Sequence, residues 1–196
     1  MRILIVGATG TIGKAIVDAL QGEHEIVEAS RNSSSLHVDM AEPESIRAMY
    51  AKLGTVDAVI SAAGGAKMKP IGELTDDDFA FSMKYKLMGQ VNLVRYGFDN
   101  VRDGGSFTIT SGVLGMHPMP GSAAVSLVNM GLEGFMRAAA LEAPRGIRVN
   151  VVSPPWVTET LIAYNMDPSI GLPAAVVAKS YVESVTGSAT STVIIP

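Results

Sequence analysis

The chain has 196 residues, of which 47% are hydrophobic, and a formal net charge of −4 with a sequence pI near 5.3. This length and apolar content predict a single domain over residues 1–196, and the acidic balance disfavours nucleic acid and anionic membrane surfaces as partners. The chain has no cysteine, which excludes disulfides, thiolate metal sites and a cysteine nucleophile and suits a cytoplasmic protein. The N-terminal apolar run is too short for a signal peptide or a membrane span, so we expect no membrane partner.

The first predicted elements are a strand, a glycine-rich turn and a helix. Ile3–Val6 is a continuous apolar run, as in a strand buried on both faces of a parallel sheet. Gly7, Gly10 and Gly13 follow, and apolar residues recur at helical spacing over residues 12–20. Glycines let the backbone approach a ligand, and a helix N-terminus favours negative charge. This unit therefore predicts a site for the pyrophosphate of a dinucleotide; the alternative is a glycine-rich turn without a ligand.

Strand and helix patterns then alternate along the chain. Further strands are predicted at Glu25–Ala29, Leu36–Asp39, Val56–Ser61, Ser106–Ser111, Ile147–Ser153 and Thr192–Ile195. Further helices are predicted at Pro43–Leu53, Asp76–Val101 (with Gly89 and Gly97 as weak points), Ser122–Leu141 and Pro173–Val185. This order predicts an α/β fold, a doubly wound parallel sheet in three αβα layers (a Rossmann fold). Only Arg31–Ser35 separate the second and third strands, so we expect a crossover helix to be missing at that edge.

Five segments, in the same order, resemble the short-chain dehydrogenase/reductase family over nearly the whole chain. They are the glycine turn, Asp39-Met40, Ser61–Gly64, the strand end Thr110-Ser111, and Asn150–Val157. The glycine spacing departs slightly from the family, because Thr11 stands where the common turn has its second glycine. The form Gly7-x-x-Gly10-x-x-Gly13 looks more like the extended and atypical branches.

The resemblance implies a nicotinamide dinucleotide cofactor and the positions that would hold it. The turn would hold the pyrophosphate, Asp39 and Met40 the adenine, Ala62–Gly64 the adenosine ribose side, and Pro154–Val157 the nicotinamide. The implied contact residues are Gly7, Thr9, Gly10, Thr11, Ile12, Gly13, Ser30, Arg31, Asn32, Asp39, Met40, Ala62, Ala63, Gly64, Pro154 and Val157.

The residues at the end of the second predicted strand indicate which cofactor is used. An NAD site places a carboxylate there, which accepts hydrogen bonds from the ribose hydroxyls. Here Ser30, Arg31 and Asn32 offer a cation and hydroxyl and amide donors instead, which suit a 2′-phosphate. We therefore favour NADP(H) over NAD(H); the alternative is that Arg31 is a solvated loop side chain.

The resemblance also locates the active site, where three of the four expected residues are replaced. Family members use a tyrosine acid/base, a lysine four residues later, a serine and an asparagine. Counting back from the segment Leu132–Phe135 puts Val125 at the tyrosine and Asn129 at the lysine. No tyrosine lies between positions 96 and 164 and no lysine between 86 and 179, so no shift of alignment restores the pair.

Two residues remain as candidate catalytic groups. Ser111 stands at the strand end that carries the family's serine, and Lys86 replaces the asparagine. Burial beside the nicotinamide would lower the pKa of Lys86 and make it a proton donor; the alternative is a solvated surface lysine. Tyr164 is a weak candidate for a substrate contact, and Trp156 is expected to pack beside the cofactor loop. No spacing of histidine and carboxylate residues predicts a metal site.

Three functions stay open. The first is an NADP(H)-dependent oxidoreductase with a rearranged proton path, acting on an unknown carbonyl or alcohol. The second is an NADP(H)-binding regulatory or redox-sensing protein without turnover, and the third is the fold with an empty cofactor site. The resemblance also implies a homodimer or homotetramer. Gly89 and Ala138–Ala140 would let helices approach a symmetry mate, or would pack internally.

Overall fold

A computed structural model describes residues 1–32 and 35–196, and within them the chain forms one seven-stranded sheet. The strands are β1 (Arg2–Val6), β2 (Glu25–Ser30), β3 (Leu36–His37), β4 (Val56–Ser61), β5 (Val101–Thr110), β6 (Arg148–Val152) and β7 (Val193–Ile194). All neighbours pair in parallel, in the order β3-β2-β1-β4-β5-β6-β7. The predicted fold class is therefore confirmed.

Helices cover both faces of this sheet. They are α1 (Thr11–Leu20), α2 (Pro43–Leu53), α3 (Asp76–Ser82), α4 (Gly89–Gly97), α5 (Ala123–Glu142), α6 (Thr158–Ala163) and α7 (Ala174–Thr186). Buried residues of α2, α4 and α5 form the core on one face, and those of α1 and α7 form the core on the other. None of the helices in the described residues has both the length and the hydropathy needed to cross a bilayer.

The uninterrupted apolar run of β1 follows from this arrangement. Successive side chains of a strand point to opposite faces of the sheet. Ile3 and Ile5 accordingly lie in the core under α1 and α7, whereas Leu4 and Val6 lie in the core under α2, α4 and α5. All four side chains are at most 1% exposed, so a polar side chain at any of these positions would be buried away from water.

The long helix predicted at Asp76–Val101 is not regular. Six residues of π-helix, Met83–Met88, join α3 to α4, and α4 ends at Gly97. Gly89 is buried, and a Cβ there would lie 2.8 Å from the carbonyl oxygen of Met40, so its close contact is internal. The expectation that Gly89 approaches a symmetry mate is therefore wrong. Ala139 and Ala140 also pack on the core, and only Ala138 of that trio is exposed.

The sheet edge at β3 is thin, as the short connection predicts. Ala29 pairs with Leu36 and Ser30 with His37, so β3 lies beside only the last residues of β2. Residues 33 and 34 of this connection lie outside the described residues, and residues 31, 32 and 35 are not helical. Among the residues that the structure describes, no helix connects β2 to β3.

The strand order places a cleft at one end of the sheet. On one side of β1 the sheet continues with β2 and β3, and on the other side it continues with β4, β5, β6 and β7. The loops after β1 and β4 therefore diverge at the carboxyl ends of these strands, which is where doubly wound sheets bind ligands. The loops after β5 and β6 end on the same side because all strands are parallel.

Candidate active site

The glycine turn after β1 is shaped by close backbone contacts. Gly7 has a φ of +86°, and a Cβ there would lie 2.9 Å from the backbone of Ala62. A Cβ on Gly13 would overlap the carbonyl oxygen of Gly7, so α1 packs directly on the turn. Gly10 is different, because a Cβ there would lie 3.4 Å from the same oxygen, close to an ordinary contact. The lack of a side chain at Gly10 instead leaves the outer face of the turn open to a ligand.

The start of α1 is suited to an anion. Its N-cap, Gly10, has no side chain to accept hydrogen bonds from first-turn amides, and the first turn carries no acidic residue. An uncapped helix start keeps its N–H donors and its partial positive charge available. The turn and the helix start together thus have the shape and donors that a pyrophosphate requires.

A groove of about 460 Å³ runs from this turn along the ends of β2 and β4. Most of the implied cofactor contacts line it: Gly7, Thr9, Gly10, Ser30, Arg31, Asn32, Asp39, Met40, Ala62, Ala63 and Gly64. Asp39 is held in place, since its Oδ1 accepts a hydrogen bond of 2.9 Å from the Ala41 amide. The stacked rings of Phe81 and Tyr85, with centroids 4.4 Å apart, close the outer side of the groove.

A second pocket, of about 320 Å³, adjoins the groove through Ala62–Gly64. It gathers Ile12, Pro154, Val157, Lys86, Ser111 and the replaced positions Val125 and Asn129. Of the implied cofactor contacts, Thr11 and Gly13 line neither cavity. Gly13 lies buried beneath the turn and lets α1 pack on it, whereas Thr11 is the exposed first residue of α1.

Sequence reasoning underestimated the apolar wall of this second pocket. Trp156, expected only to pack beside the cofactor loop, lines the cavity together with Tyr164, Met68 and Leu114. These residues come from four separate loops and helices, so no local pattern joins them. For Met68, Leu114 and Trp156 the available signal was their position in loops that follow predicted strands, where parallel sheets collect ligand contacts, whereas Tyr164 was already a candidate substrate contact.

Lys86 projects into the second pocket from the π-helical segment. Its Nζ donates a 3.0 Å hydrogen bond to the carbonyl oxygen of Ser111, and a Cβ on Gly64 would lie 3.2 Å from its Cγ. Among the described residues no carboxylate forms an ion pair with it. Burial of the ammonium lowers the pKa of Lys86 from 10.5 to about 8. An amine with such a pKa can hold or release a proton near neutral pH.

The other family positions make structural contacts. Ser111 is buried, and its Oγ donates a 3.2 Å hydrogen bond to Oε1 of Glu133. Asn129 Nδ2 donates to the carbonyl oxygen of Gly112 at 3.1 Å, and Val125 has no exchangeable proton. A catalytic role for Ser111 stays a prediction, and its hydroxyl faces Glu133 in this structure. Of the four positions, only Lys86 offers the pocket a group that titrates near neutrality.

Comparisons with known proteins agree with this fold. The family model described as enoyl-(acyl carrier protein) reductase matches residues 8–189. The crystal structure of the protein lin1944 from Listeria innocua has a TM-score of 0.96 and 38% identity, covering 100% of this chain and 98% of that chain. A small-chain dehydrogenase in complex with NADPH has the same fold, with a TM-score of 0.88 and 22% identity over 100% of this chain and 96% of that chain.

Curated relatives are more distant and longer. Hydroxynaphthalene reductase arp2 of Aspergillus fumigatus is 28% identical over 142 residues, 68% of this chain and 52% of its own length. The 3-oxoacyl-[acyl-carrier-protein] reductase of Rattus norvegicus is 28% identical over 159 residues, 80% of this chain and 65% of its own length. The chain thus spans about half to two thirds of these relatives, and the family match covers nearly all of the chain. Fold, glycine turn and family match together show that this protein belongs to the short-chain dehydrogenase/reductase family.

Proposed function

We propose that this protein is an NADP(H)-dependent oxidoreductase in which Lys86 takes the place of the missing tyrosine as proton donor to a carbonyl substrate. The observation that carries the proposal is the meeting of two cavities at Ala62–Gly64. The groove is lined by the glycine turn before α1 and by Arg31, and the second pocket holds the amine of Lys86, whose pKa is about 8. A dinucleotide that lies along the groove therefore ends beside Lys86.

Each part of the groove has a distinct task in holding the cofactor. The first-turn amides of α1 would bind the pyrophosphate, and the exposed guanidinium of Arg31 would pair with a 2′-phosphate. Pro154 and Val157 would contact the nicotinamide, which supplies or accepts the hydride when bound. The complex of a family member with NADPH supports this choice of cofactor.

Lys86 is oriented to give a proton to a substrate oxygen. The ammonium has three N–H groups, and the hydrogen bond to the Ser111 carbonyl uses one of them. The other two remain for an oxygen that gains charge as the carbonyl is reduced. The apolar lining of Val125, Leu114 and Trp156 limits water there, which strengthens the interaction of the ammonium with that charge. After transfer, the neutral amine takes a proton from solvent.

A second candidate function is cofactor binding without turnover, in a regulatory or redox-sensing protein. The contacts of the replaced residues favour it, since Lys86 and Asn129 hold the carbonyl oxygens of the successive residues 111 and 112. Both side chains then serve to fix the loop after β5. This candidate keeps the whole groove and assigns no proton transfer to Lys86.

Binding and turnover measured separately distinguish the two functions. We expect NADPH fluorescence to change on titration with the protein, more strongly than NADH fluorescence does at equal concentration. A panel of aldehydes and ketones then tests for oxidation of NADPH. Binding with turnover supports the oxidoreductase, binding without turnover on any carbonyl supports the second function, and no binding of either nucleotide at millimolar concentration rules out both.

A further inference from the structure

An open trough lies beside the Lys86 pocket, between the loop after β4 and the loop that leads into α5. Its volume is about 650 Å³, and its apolar lining consists of Met68, Pro70, Ile71, Pro118, Met119 and Pro120. Three of these are unusually exposed for large apolar side chains: Ile71 at 77%, Met119 at 40% and Met68 at 39%. Exposed apolar side chains gathered around one concave site make it a candidate for binding an apolar ligand.

The polar side chains of the trough each form an ion pair or a hydrogen bond within the protein. Lys69 Nζ pairs with Asp78 at 2.8 Å, and Ser126 Oγ donates to the carbonyl oxygen of Leu114 at 2.6 Å. Ser122 Oγ lies 3.0 Å from Ser126 Oγ and accepts a 3.0 Å hydrogen bond from the Met119 amide. A ligand in the trough therefore meets mainly hydrocarbon, and the ion pair with Asp78 uses one of the three N–H groups of Lys69.

The two walls of the trough are fastened to each other and to α3. The Lys69 amide donates a 3.0 Å hydrogen bond to the carbonyl oxygen of Gly121, which ties one loop to the other. Asp78 belongs to the capping box that starts α3, so its ion pair with Lys69 anchors the first loop. The surface is thus formed before a ligand arrives, which lowers the ordering cost of binding.

Met68 lines both the trough and the Lys86 pocket, so the two cavities adjoin at this side chain. A ligand can therefore place a polar end near Lys86 and extend an apolar tail along the trough. Methionine at the junction and at the rim adapts its shape to tails of different form. The geometry points to a substrate class: carbonyl compounds that carry a flexible hydrocarbon tail, with the carbonyl beside Lys86 and the tail in the trough. The placement of the carbonyl rests on the proposed function, whereas the placement of the tail does not.

The test uses straight-chain methyl ketones from butanone to decanone as probes, with affinity measured by calorimetry without cofactor. We expect the dissociation constant to fall about two- to fourfold for each added methylene until the trough is filled. Trp156, the single tryptophan, lines the Lys86 pocket, so its fluorescence reports arrival of the carbonyl end. Ile71→Ser should reduce the gain per methylene while butanone affinity stays the same. The matched control is Ile195→Ser, which changes a residue 64% exposed beyond β7 and should leave the series unchanged.

Oxidation of NADPH is measured in parallel, so that the two proposals can fail separately. Tail-dependent binding without oxidation of NADPH supports the trough and overturns the proposed reaction. Oxidation of NADPH at a rate and affinity independent of tail length overturns the trough and leaves the reaction standing. A shift of the sedimentation coefficient in Ile71→Ser, with no tail dependence, would show that a second copy of the chain covers this surface and would also overturn the assignment.

Discussion

Lys86 combines the two properties that a proton donor needs, a place in the pocket and a pKa of about 8. Lys86→Met keeps an unbranched side chain of similar length and removes the ammonium group. We expect the variant to lose carbonyl reduction by about 10²- to 10⁴-fold, the usual contribution of a general acid. NADPH affinity should change little because Lys86 lies outside the nucleotide groove. Wild-type reduction should also decline as pH rises through 8, since the ammonium is the acid. Unchanged turnover in the variant would assign the proton to solvent.

The same pKa has a consequence for stability that does not depend on activity. Because the folded-state pKa of Lys86 is lowered from 10.5, the folded protein pays for an unpaired buried cation below about pH 8. Between pH 8 and 10.5 the unfolded chain holds more protons, and this penalty disappears. Lys86→Met should therefore unfold at higher urea concentration than wild type at pH 7, and the difference should shrink toward pH 10. A constant difference across this range would show that the ammonium is well solvated.

Arg31 is the residue on which the cofactor preference depends. It is exposed at the end of β2 and lines the groove. An exposed charge-assisted contact is worth about 1.5 kcal/mol, so Arg31→Ala should weaken NADPH about tenfold and NADH hardly at all. Fluorescence titration of both nucleotides measures this, with Lys179→Ala as a control for loss of one exposed positive charge. Equal weakening of NADPH and NADH would place Arg31 away from the 2′-phosphate.

At the scale of elements, the β1–turn–α1 unit depends on close packing at Gly13. A methyl group there would collide with the Gly7 carbonyl oxygen and push α1 away from the turn. We expect Gly13→Ala to lower the free energy of unfolding by about 1–3 kcal/mol and to abolish NADPH binding. Gly22→Ala is the matched control, since a Cβ there meets nothing within 4 Å. Urea unfolding and NADPH titration measure the two effects, and retained cofactor affinity in Gly13→Ala would mean that the helix start is not the phosphate site.

Elements with purely local signals could be predicted from the sequence. The helix α2 runs over Pro43–Leu53 as predicted, because Pro43 suits the first helical turn and Gly54, with a φ of +70°, ends the helix. The π-helical segment Met83–Met88 could not be predicted, since its apolar spacing reads as ordinary helix. In the folded chain this segment packs against Gly64, which is distant in sequence. The same segment directs Lys86 into the pocket. The local structure on which the proposed proton transfer depends was therefore not recognisable from the sequence.

At the scale of the whole molecule, the topology of the sheet determines which residues share a site. Parallel strands bring every loop that follows a strand to one end of the sheet, and this topology was predictable from the alternating pattern. The inward turn of Ser111 toward Glu133 was not, because those residues are 22 positions apart and meet only through the packing of α5 on β5. Thus the location of the cofactor groove followed from the sequence, whereas the orientation of each polar group around it required the folded chain.

The outer face of α5 carries an exposed stripe. Leu127, Met130, Gly134, Ala138 and Leu141 follow one another at intervals of three and four residues, so they share one side of the helix. Leu127 is 51% exposed and Leu141 is 85% exposed, whereas the opposite side of α5 is buried on the sheet. Small residues between larger apolar ones let a second helix approach closely, and a two-fold axis would place the same stripe on both sides of the contact. We therefore expect a homodimer formed by α5.

Leu127→Lys tests this contact, because it places a charge at the stripe without touching the core. Sedimentation velocity should show the wild-type chain above the mass of one copy, 20.5 kDa, and the variant shifted toward it. Ile195→Lys, at a residue 64% exposed beyond β7, controls for the added charge. Dissociation in Leu127→Lys but not in Ile195→Lys would establish the stripe as the interface, whereas a monomeric wild type would leave α5 unpartnered. A dimer built in this way would leave the cofactor groove open, because no residue of α5 lines that groove.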